Sequence, residues 1–378
     1  MVLNGDIMEK KVLIAANLDS FFTKFLLPQL ERFKNDGYKV YVATKLEGRE
    51  IPFCDKKFNI NFARGFNLKD NIKSFIQMKK ILLSDNFDLI VCHTPFGAAI
   101  TRLAAKACHI NKDSIVYMAH GFHFYEGANK FKFALYFNAE KYLSKYTGKI
   151  ITINLYDYGM ARKYFDCNIY YVPGVGLDTR KFNDVTLNEK KKLLVSLGLK
   201  ETDFVLIYPA EILPRKRQMW LIDALKDVLK EHTDMHLLLP GKDSMNGKCL
   251  KLIKNLDLES QIHLLGFRND IPKLLSISNL SVTSSLQEGL PVNVMEAIYV
   301  GLPVVATNCR GNIDLINDSV NGYIVDVNDK KMFANRVLKV YNLSDEEKEK
   351  IKNQDKVIIK PYLLENVIRG IMKIYEED

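Results

Sequence analysis

Two carboxylates eight positions apart, Glu288 and Glu296, bracket the run Glu288-Gly289-Leu290-Pro291-Val292-Asn293-Val294-Met295-Glu296. A continuous helix would hold them about 12 Å apart along its axis at ~1.5 Å per residue. Gly289 instead permits a sharp turn, and Pro291 suits a first helical turn. The apolar run Leu280-Ser281-Val282-Thr283 comes before and Ala297-Ile298 follows, so the order predicted is strand, tight turn, helix. Glu288 then lies at the strand's C-terminal mouth and Glu296 about one turn into the helix. Both can face the crevice where parallel α/β sheets bind ligands. An ionised carboxylate only accepts hydrogen bonds, so it grips vicinal hydroxyls. Two of them suit a ligand with two diols, such as a nucleotide sugar with its ribose and hexose. The alternative is a helix-start acid favoured by the dipole and a second, solvated one.

Cations are placed at comparable mouths. Ala210-Glu211-Ile212-Leu213-Pro214-Arg215-Lys216-Arg217-Gln218 follows the buried strand Val205-Leu206-Ile207-Tyr208 and opens a helix. Three consecutive cations beside free backbone N–H groups make an anion site, or else a solvated basic triplet. Arg310-Gly311-Asn312 follows the strand Val304–Ala306, within backbone reach of a second phosphate oxygen or a sugar. Gly266-Phe267-Arg268 follows another strand and offers an aromatic or guanidinium plane to a base. In the first half, Met118-Ala119-His120-Gly121-Phe122-His123-Phe124-Tyr125 follows a strand, and Gly121 lets other groups approach the backbone beside His120. A lone histidine is more often structural, as His93 after Leu89–Cys92 can be. No Gly-x-Gly-x-x-Gly follows the first strand of either half, and no Walker-type Gly-Lys-Thr/Ser occurs, which argues against a nicotinamide dehydrogenase. No His/Asp/Glu cluster has metal-ligand spacing.

The elements that must position these groups alternate along the chain. Short all-apolar runs such as Val12–Ala16, Val40–Ala43, Leu89–Cys92, Ile115–Ala119 and Ile150–Ile153 are separated by amphipathic stretches, the pattern of a parallel sheet covered on both faces. Pro173-Gly174-Val175-Gly176-Leu177-Asp178 is rich in breakers and reads as a linker. The pattern then restarts, without a sequence repeat, and ends in an amphipathic helix over Leu363–Tyr375. The expectation is an α/β protein of two facing doubly wound domains with a cleft between: 1–172, 173–360, and a C-terminal helix in 361–378 returning to the first domain. A length of 378 residues fits two domains.

Apolar content of 47% and charged content of 26% are ordinary for a folded soluble chain. Six scattered cysteines without a Cys-x-x-Cys pair make neither a disulfide framework nor a zinc pattern, and fit a reducing cytosol. No run approaches the roughly 20 apolar residues of a membrane span, and Met1–Lys11 carries no visible signal peptide. Residues 1–180 hold 26 Lys+Arg against 17 Asp+Glu, and residues 181–378 hold 28 of each. The whole excess of +9 therefore sits in the first half. It points to an anionic partner there, a membrane surface or polyphosphate lipid before nucleic acid, for which no binding motif is present. A merely solubilising basic face is the alternative.

Taken together, the chain resembles the glycosyltransferase family 4 enzymes of the GT-B fold, with its two Rossmann-like domains. More narrowly it is similar to the bacterial capsular and exopolysaccharide transferases. The resemblance covers nearly the whole chain: His93-Thr94-Pro95, His120-Gly121-Phe122-His123-Phe124, Glu140-Lys141-Tyr142-Leu143-Ser144 with Ile153-Asn154, Pro173 to Asp178, and Glu288 to Glu296. It implies metal-independent, retaining transfer from a nucleotide sugar, usually UDP-linked, with no cofactor. By that analogy His120, Lys216 and Glu288 are the catalytic group. His120 lies beside the reacting sugar carbon, Lys216 binds the diphosphate, and Glu288 holds sugar hydroxyls. Gly289, Leu290 and Pro291 supply backbone contacts, and Glu296 takes the ribose diol. Arg215, Arg217, Phe267, Arg268, Asn293, Arg310 and Gly311 complete the donor side; Asn17, Ser20 and His123 face the acceptor. The implied acceptor is a saccharide on a polyprenyl diphosphate. A basic first domain, with Phe131-Lys132-Phe133 and Lys141-Tyr142…Lys145-Tyr146, would dock at the cytoplasmic face of the membrane.

Two departures stand out. Many relatives have arginine where this chain has Glu211, so Arg215 or Arg217 must compensate, or Glu211 serves the acceptor. Many also have adjacent glycines after the first strand, where this chain reads Asn17-Leu18-Asp19-Ser20-Phe21-Phe22. A nucleotide-sugar 2-epimerase and a non-catalytic scaffold of polysaccharide assembly are the competing functions. Sugar selectivity rests on one or two hydrogen bonds whose geometry spacing does not encode.

Overall fold

The computed structural model describes residues 9–62, 65, 67–125 and 127–377. Most of Met1–Lys11, and with it the question of a signal peptide, lies outside the described residues. The chain divides into two compact units. One runs to Val175 and includes the residues from Val367 on; the other is Gly176–Asn366.

The first unit is built on strands β1 (Lys11–Leu18), β2 (Lys39–Lys45), β3 (Lys56–Asn59), β4 (Leu89–His93), β5 (Ile115–Ala119), β6 (Lys149–Thr152) and β7 (Asn168–Tyr171). They form one sheet in the order β3-β2-β1-β4-β5-β6-β7, and every pair is parallel. β4 and β5 are buried at every residue because the crossover helices cover both faces, so these strands read as unbroken apolar runs. β3, with Lys56 and Lys57 exposed, was not expected as a strand. It is a short, charged edge whose sequence carries no apolar alternation. After β1, Pro28 cannot donate a backbone hydrogen bond, and the chain makes a wide π-type turn over Phe22–Leu26 before the helix Leu27–Asn35.

The C-terminal helix, Leu364–Glu376, ends against this unit. Tyr375 stacks on Phe33 with ring centroids 5.5 Å apart and its hydroxyl donates to Gln29 Oε1 at 3.3 Å. The buried Lys149 ammonium donates to the carbonyl of Ile374 at 2.9 Å and to that of Glu377. A cation there satisfies the unpaired carbonyls at the negative end of the helix dipole.

The second unit carries β8 (Phe204–Ile207), β9 (Met235–Pro240), β10 (Ile262–Gly266), β11 (Leu280–Thr283), β12 (Val304–Thr307) and β13 (Gly322–Val325), in the order β10-β9-β8-β11-β12-β13. This is the first sheet's winding repeated: the chain runs outward to one side and then restarts on the other flank of the first strand. β13 opens with glycine because a Cβ at Gly322 would lie 2.1 Å from the Val304 carbonyl oxygen. At the start of the unit a Cβ at Gly176 would meet Leu364 Cα at 2.7 Å. Leu177 can thus exchange backbone hydrogen bonds of 2.8 and 2.9 Å with Tyr362 and Leu364. Each sheet has a switch point where strand order reverses, between β1 and β4 and between β8 and β11, and α/β folds bind ligands at the C-terminal ends there.

Candidate active site

In the second unit three loops converge on Glu288. The strand β11 delivers Ser284 and Ser285 at its mouth; Gly289 follows Glu288, and Pro291, in extended conformation, caps the helix Val292–Tyr299. The Glu288 carboxylate, nearly buried, accepts from Ser285 Oγ at 2.6 Å and from Lys216 Nζ on the same oxygen. Arg215 stands 3.5 Å from its other oxygen. Arg310 Nε donates to the Glu288 carbonyl at 2.9 Å. Gly311, at φ 85°, has no room for a side chain, since a Cβ would lie 2.6 Å from the Gly289 carbonyl oxygen. The loops after β8, β11 and β12 are thus one packed body around a carboxylate with cations on one side.

Hydroxyls at the strand ends hold that body together. Tyr208 follows β8 and is fully buried; its hydroxyl contacts the Lys216 carbonyl at 3.1 Å and Ser285 Oγ at 2.7 Å. Ser285 gives its one proton to Glu288, so the phenol is the donor toward Ser285 and shares its single proton between Ser285 Oγ and the Lys216 carbonyl. Burial, with the Glu288 charge adding to it, pushes the phenol well above its usual range, which keeps that proton in place. Ser284 Oγ reaches the carbonyls of Lys216 at 2.9 Å and Arg217 at 3.1 Å, and Thr307 Oγ1 donates to the Ser285 carbonyl at 2.6 Å. Tyr208, Ser284, Ser285 and Thr307 were not singled out from sequence. Their signal was a cluster of hydroxyls just where apolar strands end.

The remaining donor-side candidates separate into those that join this group and those that do not. Arg217 does not: expected beside a phosphate, it takes a left-handed backbone conformation at φ 57° before the helix Gln218–Glu231. Its guanidinium donates to the Val327 carbonyl and lies 4.7 Å over the Trp220 ring. Arg268 forks onto Asp270 at 2.7 and 2.5 Å, which engages the Nε and Nη2 edge of its guanidinium. Phe267 beside it is 77% exposed, a free ring at the end of β10. Leu290 and Pro291 are buried, and Asn293 is nearly so, with Nδ2 unpartnered among the described residues. Glu211 is held by Ser244 Oγ at 2.5 Å. Glu296 occupies the fifth position of its helix. Burial pushes its carboxyl up to about 7 against the opposing pull of Lys181, and no described residue donates to it.

In the first unit His120 follows β5, and its Nε2 lies 3.0 Å from His93 Nδ1 at the end of β4. The Phe21 ring meets His120 edge-on with centroids 5.0 Å apart. Burial holds His120 down at about 4, and pushes fully enclosed His93 well below the usual imidazole value; both rings are neutral at neutral pH. The loop after His120 is anchored by buried Asp157, which accepts from Phe122 N at 2.9 Å and Asn154 Nδ2 at 2.9 Å. Asn17, at the switch point, accepts from Thr94 Oγ1 at 2.8 Å. Gly97 is needed there, as a Cβ would come within 2.6 Å of the Asn17 oxygen. Ser20 lies in the short turn after β1, and His123 is exposed with its ring 5.0 Å from that of Tyr136. Glu140 is structural, pairing at 2.8 Å with the fully buried Arg102.

Sequence and fold comparisons show what this chain is similar to. The family described as glycosyl transferases group 1 matches residues 189–357, and that described as glycosyl transferase 4-like matches residues 11–154. The chain is 34% identical over 339 residues, 89% of its length and 88% of the relative's, to a Bacillus subtilis protein named as a glycosyltransferase, EpsD. It is 27% identical over 328 residues, 83% of each chain, to an Escherichia coli UDP-Gal:alpha-D-GlcNAc-diphosphoundecaprenol alpha-1,3-galactosyltransferase. The crystal structure of Anabaena Alr3699/HepE in complex with UDP and glucose superposes with a TM-score of 0.79 at 18% identity, over 97% of this chain and 99% of that one.

Proposed function

This chain belongs to the bacterial-type glycosyltransferases with two domains of the GT-B fold, and we propose that it transfers a hexose or N-acetylhexosamine from a UDP-sugar to a saccharide on a polyprenyl diphosphate, with retention and without a metal. The observation that carries this reading is the cluster of Glu288, Lys216 and Arg215 at the β8–β11 switch point. Glu288 is fixed by Ser285 and keeps lone pairs for sugar hydroxyls, while Lys216 and Arg215 take the diphosphate. The Escherichia coli relative is named for a UDP-galactose donor and a diphosphoundecaprenol acceptor, which supports the donor and acceptor classes.

Bond cleavage in such a transfer leaves positive charge on the sugar ring and negative charge on the departing diphosphate. Fixed cations stabilise the latter as it develops, without reorganisation at the moment of reaction. The acceptor hydroxyl attacks from the face the diphosphate leaves, and a diphosphate oxygen takes its proton, so no protein nucleophile is required. Arg215, rather than Arg217, makes up for the carboxylate at Glu211. Glu296 receives the ribose diol, and His120 is assigned a sugar oxygen in the transfer, as the family resemblance implies.

The helix Lys130–Ser144 supports a membrane partner. Phe131, Leu135 and Tyr142 are 77%, 41% and 47% exposed, and at about 100° per residue they share one helical stripe. Lys130, Lys132 and Lys141 flank it. An apolar stripe between cations suits the interface of an anionic bilayer. Among the described residues no helix is long and apolar enough to cross a membrane.

The test is a panel of UDP-linked glucose, galactose and their N-acetyl forms, assayed for UDP release with and without a polyprenyl-diphosphate saccharide. Acceptor-dependent release with one donor is expected. Sugar isomerisation with donor alone would indicate the epimerase, and inertness toward every nucleotide hexose would remove the proposal. Sedimentation with anionic vesicles should weaken on replacing Phe131 and Leu135 by Ser; unchanged binding would exclude this helix as the docking element.

A further inference from the structure

We propose that His93 is a positioning residue which donates its Nδ1 proton to His120 and so fixes His120 as the tautomer protonated on Nδ1. This rests on the role given above to His120 in sugar transfer. The two rings approach at 3.0 Å between His93 Nδ1 and His120 Nε2, and such a contact between neutral imidazoles holds one proton. Two assignments are then possible, and the far side of His93 separates them. His93 is fully buried, and its Nε2 has no hydrogen-bonding partner among the described residues.

If His120 were the donor, the His93 proton would sit on Nε2 and be a buried N–H with no acceptor. If His93 is the donor, its Nε2 is only an unused lone pair. Orphaned buried N–H groups are the rarer defect, because a donor's single bond is lost outright. The second assignment therefore wins. Neighbouring groups leave the rings little freedom to exchange roles. Phe21 packs edge-on against His120 and tilted against His93, with centroids 5.0 and 5.9 Å away. Asp157 holds the backbone just beyond His120 through Phe122. The ring that β5 presents is consequently a neutral hydrogen-bond donor through Nδ1, with Nε2 occupied. It can polarise or orient a sugar oxygen, and it is neither general base nor general acid.

Nitrogen-15 NMR of the imidazoles in the wild-type protein decides the tautomer without reference to turnover, with the His120 signals identified by their loss in His120→Gln. Protonated Nδ1 and bare Nε2 on His120 are expected; protonated Nε2 would overturn the proposal. In kinetics, His93→Leu should lower kcat by about tenfold or more with the donor KM within about twofold, since no interaction with the donor nucleotide is removed. His93→Asn, whose amide can stand in for the Nδ1 donor, should restore most of kcat and the Nδ1-protonated signal. A wild-type kcat in a folded His93→Leu protein would overturn the proposal as well. Should the wild-type enzyme turn over no nucleotide sugar, the transferase reading fails while the NMR result still decides the tautomer.

Discussion

Lys216 Nζ donates to Glu288 Oε1, tying the loop after β8 to the loop after β11 across the point where the second sheet reverses its strand order. The two side chains are 12% and 8% exposed, and each supplies the charge that keeps the other in place. Replacing Lys216 by Ala should lower kcat by about a hundredfold or more, as for loss of a fixed transition-state donor. Stability should fall by only about 1–3 kcal/mol, because Glu288 keeps Ser285 and Arg215. Turnover with chemical denaturation measures both, and a folded variant with wild-type turnover would take Lys216 out of the site.

Tyr208→Phe removes one hydroxyl that serves two loops. The Lys216 carbonyl retains Ser284, but Ser285 loses its 2.7 Å partner and keeps only the longer contact from Thr283 Oγ1 at 3.5 Å. A loss of about 1–2 kcal/mol is expected, with a fall in kcat as Glu288 loosens. Unaltered kcat would show that the phenol merely fills space.

Arg215 and Arg217 should behave oppositely. Arg215→Ala is expected to raise the donor KM about tenfold with little change in melting temperature. Arg217→Ala should lower stability by about 1–2 kcal/mol through lost packing on Trp220 and a lost carbonyl bond, with donor KM within about twofold. The reverse pattern would exchange their roles.

Glu296 gives a pH dependence with a definite sign. Its folded carboxyl lies at about 7, above the ordinary glutamate value of about 4.3. Its contribution to stability is therefore fully present below that ordinary value and is lost as pH rises through about 7. Donor binding should run the other way, because ribose hydroxyls need the ionised acceptor. UDP affinity should rise by about tenfold between pH 6 and 8 in excess of any rise in Glu296→Gln, whose difference cancels the ionisation of UDP itself. Parallel calorimetric profiles for the two proteins would detach Glu296 from the ribose.

Much was legible along the chain for a simple reason. Buried parallel strands are largely apolar runs, so β1, β4, β5 and β8 announce themselves, and each strand's C-terminal end marks where chemistry can sit. Edge strands such as β3 face water and leave no such trace. The acidic pair and the basic triplet lie in the loop-to-helix segments that follow β11 and β8, which is why their residue types were enough to single them out.

Composition and strand periodicity by themselves determined the two α/β domains, and the resemblance carried by segments from His93 to Glu296 pointed to the glycosyltransferase family. Tertiary structure alone decided the partners: that Lys216 and Arg215 but not Arg217 face Glu288, that Tyr208 is hydrogen-bonded to the Ser285 that holds it, and that His93 is bonded to His120. These pairings join residues from 27 to 77 positions apart. Local pattern fixes where a strand ends, whereas the direction of a side chain at that end is set by what packs around it from distant parts of the chain.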